Sequence, residues 1–132
     1  MLKALLPVDL EQAFAQIKEY WSPQIIAEVN DNYVKIAKIK GEFVWHDHEN
    51  EDELFYIIKG TLEIELKEQI INLTEGEMFV VPKATMHKPH AKEECWVMLV
   101  EPKSTAHTGK VNTALTKSIE DQLNGPPNKS ID

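Results

Sequence analysis

His46 and His48 stand two residues apart at the end of an apolar, β-branched and aromatic run, G-E-F-V-W-H-D-H, and this pair constrains the chain most. Alternate side chains of an extended strand share a face, so both imidazoles project the same way. Their backbones are then roughly 6.7 Å apart, a gap that two rings can close onto one ion. A polar break, Glu49 to Asp52, suits a turn, and Glu53 opens a second strand-like run, Leu54 to Lys59, which Gly60 ends. His87 comes later, after a glycine-led strand and Pro82. Three imidazoles and a carboxylate suit a divalent transition ion. A single histidine on an apolar face is ordinarily a packed core residue with its nitrogens satisfied. Burying three of them with a carboxylate and no shared partner is far costlier, which favours a metal set over a metal-free relic.

The rest of the chain reads mostly as short strands. Asp9 fits a helix N-cap with Gln12 at the third helical position, and Leu10, Ala13, Phe14, Ile17 and Tyr20/Trp21 recur at helical spacing until Ser22-Pro23. That predicts a helix over 9–21, its stripe either core packing or a partner face. Ile25 to Val29 and Tyr33 to Ile39 read as strands around the turn-prone Asn30-Asp31-Asn32. Further strands are expected at 54–59, 61–66, 70–73 and 78–81, around His87, and at 96–100. Short strands with no helices between them argue for an antiparallel sandwich or barrel. With Glu53 inward, Phe55 and Ile57 share its face, and Leu54, Tyr56 and Ile58 lie outside. With His46 and His48 inward, Val44 shares their face while Phe43 and Trp45 point out. A sheet apolar on both faces needs cover on the outer one, from the helix, a second subunit or both. Beyond Pro102, Val111, Leu115, Ile119 and Leu123 keep one helical face, stopped by Gly125 and Pro126-Pro127; a docked helix and an unstructured end are both open.

The central residues resemble the cupin superfamily. Gly41, His46, His48, Glu53 and Gly60 are similar to its first motif, and Gly76, Pro82 and His87 to its second. One residue fewer than usual separates Gly41 from His46, and Ala84 and Ala91 stand where glycine and asparagine are common. The resemblance covers roughly residues 30 to 102 and looks most like small single-domain cupins of the mannose-6-phosphate isomerase-like kind. It implies a mostly β fold, an antiparallel double-sheet jelly-roll barrel with an N-terminal α-helix. The chain then reads as a single domain over 1–132, with the barrel core at 25–102 and a tail at 103–132. The resemblance also favours a homodimer, using the outward strand faces or the helix.

Composition narrows the function. A formal net charge of −8 opposes binding to phosphate backbones, and no basic stripe favours nucleic acid. Cys95 is the one cysteine and fits a reducing compartment as a buried small hydrophobe. No apolar run is long enough to span a membrane, and Pro7 and Asp9 interrupt the Leu-rich piece after Lys3, so a cytoplasmic location is expected. Lys35, Lys38 and Lys40 read as solvated side chains rather than a phosphate site. His90, three past His87, falls on the opposite face, and His107 sits in a polar loop matching nothing. No G-x-S-x-G, phosphate-cradling glycine loop or C-x-x-C is present. The expected site is one divalent ion, iron, manganese, zinc, nickel or copper, on His46, His48, Glu53 and His87. Val44, Phe55, Ile57, Met78 and Val80 are expected to wall a small-molecule pocket. Two functions fit: a metal-dependent enzyme of isomerase or dioxygenase type, or a non-catalytic metal or small-ligand binding module.

Overall fold

Alternation of apolar and polar residues places the strands, and every ladder between them is antiparallel. The structure is a computed structural model that describes residues 6–109, 111, 113 and 115–124. Its elements are α1 (Leu10–Ala15), β1 (Gln24–Val29), β2 (Asn32–Glu42), β3 (Glu53–Lys59), β4 (Leu62–Leu66), β5 (Ile70–Leu73), β6 (Met78–Val81), β7 (His87–Pro102) and α2 (Ile119–Asn124). Strands dominate these elements and the two helices are short, so the fold is mostly β, as expected. Val29 pairs with Asn32 across a two-residue turn, where Asn30 takes a left-handed φ of 51°. Asparagine tolerates that conformation better than most residues.

The long strand β7 joins the two layers. One edge pairs with β2 from Asn32↔Pro102 to Glu42↔His90. The other pairs first with β4, through Leu66↔His87 and Glu63↔His90, and then with β3, from Lys59↔Trp96 to Leu54↔Val100. The segments expected around His87 and at 96–100 are therefore one strand. Its register against β2 slips between Ile39 and Gly41, and such an irregularity bends a strand from one layer to the other. The layers run β1-β2-β7-β3-β6 and β5-β4-β7, a double-sheet jelly roll. Gly60 connects β3 to β4 at φ 89°, where a Cβ would come within 2.8 Å of the Glu94 carbonyl, so the turn excludes a side chain.

The inner faces form the core. Ala37 and Ile39, Phe55 and Ile57, Leu62 and Ile64, Val81, Cys95, Val97 and Leu99 pack in one cluster. The expected inward parity of β3 is that observed, and on β4 Leu62 and Ile64 face the core. Burial pushes the Cys95 thiol up to about 12, so it stays protonated and unreactive.

The outer face is covered in part by α1. Phe14 and Ile17 pack on Ile36, Ile58, Trp96 and Met98, with Phe14 stacked on Trp96 at 4.6 Å. Burying two such side chains contributes about 1.5–3 kcal/mol each. Asp9 caps the helix, accepting from the Gln12 N–H at 3.1 Å. The helix is shorter than the expected 9–21 because β2 captures the residues near Trp21. Trp21 donates its backbone N–H to Lys38 and its indole N–H to Lys40, and it takes a φ of 58°. At the other end α2 begins only at Ile119, while Leu115 packs on the inner core. The expected stop at Gly125 and Pro126-Pro127 lies outside the described residues, as does Lys3. No helix among the described residues is long and apolar enough to cross a membrane.

Candidate metal centre

The two histidines of the first motif sit just beyond β2, in an extended segment rather than the regular strand expected. His46 makes a lone antiparallel bridge with His87, exchanging backbone bonds of 3.1 and 2.9 Å. Two residues on, the His48 carbonyl accepts from the Ala84 N–H at 2.8 Å. The H-x-H segment is thus stitched to the chain entering β7, which brings His87 beside it. Glu53 opens β3 opposite Val81.

These contacts bring all four expected residues together. One ligand atom from each of His46, His48, Glu53 and His87 lies within 4.8 Å of the others, and all four side chains are buried. His46 Nδ1 donates to the Val44 carbonyl and His87 Nδ1 to the Thr85 carbonyl, each at 2.9 Å and each two residues back. A carbonyl only accepts, so those Nδ1 atoms carry protons, and the Nε2 atoms are the ones turned inward, where a deprotonated Nε2 offers a lone pair to a cation. The Nε2 atoms of His48 and His87 both lie 3.3 Å from Glu53 Oε1. None of these three atoms has a well-directed hydrogen-bond partner among the described residues. Buried polar atoms without partners are rare and costly, and a cation between them would satisfy all of them. The donor set therefore fits a divalent transition ion.

Electrostatics prepares the same set. Burial, and then the neighbouring His87, lower the His46 pKa to about 4, so its ring is neutral at pH 7. For Glu53 burial alone would raise the pKa, but His48, His87 and Glu101 outweigh it and hold the carboxyl well below its usual range.

Glu101 and Lys35 belong to this interior, and both escape a linear reading. Lys35, expected in solvent, is 1% exposed and lies 2.6 Å from Glu101, itself buried. Burial and the Glu53 charge push Glu101 well above the usual carboxylate range, against the pull of Lys35. One cation among two carboxyls is balanced when one carboxyl keeps its proton, and the opposite shifts of Glu53 and Glu101 express that balance. The available signal was strand phase. Lys35 shares the parity of Ala37 and Ile39, and Glu101 that of Val97 and Leu99, all inward.

A cleft of about 410 Å³, open solvent at its mouth included, runs from His46 and Glu53 between apolar walls that include Trp21, Phe43, Phe55 and Leu99. Of the expected wall residues, Phe55 lines this cleft. Ile57 lies in the core and Val44 packs against it, neither on the cleft. Met78 and Val80 are 52% and 39% exposed and point outward. Ladder partners share a face, so inward Glu53 and Phe55 bring Val81 and Phe79 in, and Met78 and Val80 go out. Phe43, expected outside, is buried on the cleft because the chain has left regular strand after the Gly41 irregularity. Phe43 also meets the His46 ring edge at 5.5 Å and stacks on Trp21 at 4.6 Å. His107 lines the cleft too, with its ring 5.1 Å from Phe43. Burial, and secondly repulsion from Lys35, lower its pKa to about 3. His90 is outside the group and contacts Glu63 at 3.3 Å.

Comparison with known proteins adds relatives to this geometry. Residues 32–101 match the Cupin_2 cupin domain family. A crystal structure of a cupin-2 domain containing protein from Shewanella frigidimarina superposes with a TM-score of 0.72 at 47% identity, covering 73% of this chain and 94% of that one. The chain is 34% identical over 89 residues to the uncharacterized protein YdbB of Bacillus subtilis, covering 67% of this chain and 79% of that protein. It is 26% identical over 91 residues to the 3-hydroxyanthranilate 3,4-dioxygenase of Xenopus tropicalis, covering 64% of this chain but 32% of that protein.

Proposed function

The chain belongs to the cupin domain family, and from that premise we propose that it is a metal-dependent enzyme acting on a small, largely apolar organic molecule. His46, His48, Glu53 and His87 would hold one divalent transition ion. The observation that carries this reading is the convergence of partnerless buried Nε2 and Oε1 atoms beside an apolar cleft. Bound there, such an ion supplies Lewis acidity and, if it is redox active, access to dioxygen chemistry. The protein's own share is to fix the ring tautomers through Val44 and Thr85, to hold Glu53 ionised, and to exclude water with Trp21, Phe43 and Phe55.

Between the two enzyme types, a dioxygenase-type reaction fits better than a sugar-phosphate isomerisation. All 14 basic residues are lysine, so no arginine fork is available for a phosphate, and among the described residues no lysine lines the cleft. The partial similarity to a dioxygenase supports the same reading. Metal analysis of protein purified without chelators or a metal-affinity tag tests the centre. Oxygen uptake with a panel of small aromatic substrates then tests the reaction. The proposal expects a redox-active ion and substrate-dependent uptake. Tight metal with no turnover across the panel would leave a binding module.

The proposed form is a homodimer, joined through the outward face of β3 and β6. Leu54 and Tyr56 are half-buried there, and Met78 and Val80 are exposed. Sedimentation at micromolar concentration should show twice the 15.1 kDa chain mass, and a monomer alone would refute it.

A further inference from the structure

We propose that the segment at 103–109 completes the cleft and that His107 is a positioning residue, its Nε2–H donating to an acceptor oxygen of the small flat molecule bound there. This rests on the reading of the histidine cluster as a metal centre. The segment begins past the matched family residues, which end at 101, and it is firmly tied down. The Lys103 N–H donates to the Asp31 carbonyl at 2.9 Å and Ser104 Oγ to Glu51 at 2.7 Å, while Thr105 and Thr108 are buried. Gly109, at φ 61°, sits so close to Asp47 that a Cβ would come 2.1 Å from its carbonyl oxygen. Asp47 separates His46 from His48, so the segment is docked on the backbone of the histidine pair itself.

The docking fixes His107 in one chemical form. Its Nδ1 lies 2.9 Å from the Lys117 backbone N–H, which can only donate. Nδ1 therefore carries no proton, and the ring is neutral with its hydrogen on Nε2. Among the described residues nothing accepts from that N–H, although the ring lines the cleft with His46 and Glu53. An N–H without an acceptor in an apolar cleft favours a ligand that brings one. The other polar residues on the cleft are His46 and Glu53, at the centre. The complementary ligand is thus a small aromatic molecule with neighbouring oxygens, one toward the centre and one toward His107. Its ring would lie along the stacked Trp21–Phe43 pair.

The probe is 4-nitrocatechol, titrated by absorbance into the Zn²⁺-loaded full chain, a redox-silent form. His107→Phe keeps a ring on Phe43 and removes the donor; His107→Gln restores a donor near the Nε2 position. We expect His107→Phe to bind Zn²⁺ as the wild type does and the probe about tenfold more weakly. His107→Gln should recover most of that loss. Equal probe affinity in wild type and His107→Phe would overturn the assignment, as would a Gln variant no better than Phe. Wild type that binds Zn²⁺ but not the probe would overturn this inference alone. Wild type that binds no Zn²⁺ would overturn the metal reading and this one with it. Should His107→Phe not fold, histidine ¹⁵N spectra of the wild type serve instead. A neutral Nε2–H ring for His107 that shifts with the probe supports the inference, and an Nδ1–H or unshifted ring refutes it.

Discussion

Two polar groups are buried side by side in this interior, and they differ in how their charge is closed. Lys35 closes one oxygen of Glu101, its cation 2.6 Å from Oε2, and leaves only Glu101 Oε1 without a directed partner. In the cluster of His46, His48, Glu53 and His87, ring nitrogens and a carboxylate oxygen face one another, and His48 Nε2, His87 Nε2 and Glu53 Oε1 find no directed partner among the described residues. The first arrangement explains itself as structure. The second makes physical sense once an ion is added. Burial of a histidine or a lysine therefore says little about function; whether its partners lie within the chain says much more.

The largest effect should come from opening the closed group. Lys35→Ala leaves Glu101 and Glu53 without their cation and should cost about 3–5 kcal/mol of stability by denaturant unfolding. Lys35→Met with Glu101→Leu should recover most of it, because the pair is compensated rather than functional. A double variant as unstable as the single one would mean that the pair also supports Glu53.

Acid probes the open group. His46 and His107 are depressed to about 4 and about 3, both chiefly by burial. Below pH 6.5 the unfolded chain binds protons first, so stability is present above that value and is lost as pH falls toward the folded pKa values. For metal-free protein the His46 contribution lost between pH 6.5 and 4 is on the order of 3 kcal/mol. Glu53, held below its usual range, acts in the same direction but only below the ordinary carboxylate value, whereas Glu101, raised above that range, acts in the opposite direction above it. With Glu101→Gln as the background, urea midpoints that stay level across this range would contradict neutral buried imidazoles.

Backbone substitutions sharpen the frame around the site. Gly60→Ala should cost about 1–2 kcal/mol, from its left-handed φ and the close Glu94 carbonyl, without altering metal affinity. Ala84, at φ 60° where the family favours glycine, should respond least. In Ala84→Gly the strain relieved is offset by a looser unfolded chain, leaving a change within about 0.5 kcal/mol. A large loss there would show that the Ala84 side chain supports the His48 loop.

The same contrast explains what the sequence made legible. The four candidate ligands were visible because two sit two residues apart and all four keep motif spacing, and β3 and β4 alternate cleanly. Phe43 was placed on the wrong side because parity counting fails where the chain leaves regular strand at Gly41. Met78 and Val80 were misplaced because the phase of β6 is set by its register with β3, which no local pattern states. Lys35 and Glu101 are 66 positions apart, and the strand phase that each shares with its apolar neighbours was the only local clue. His107 lies in no strand at all; only the docking of its segment on Asp47 brings it to the cleft.

Denaturant unfolding with and without a divalent ion tests the central claim most directly. An ion at about 100 times its dissociation constant should add about 2.7 kcal/mol, because the unfolded chain does not assemble the four ligands. His46→Ala, His48→Ala or His87→Ala should each remove most of that gain and Glu53→Gln should weaken it, while His90→Ala, on the far side of β7 against Glu63, should leave it intact. If His48→Ala keeps stoichiometric metal and the full stabilisation while His90→Ala loses both, the partnerless cluster is not the metal centre.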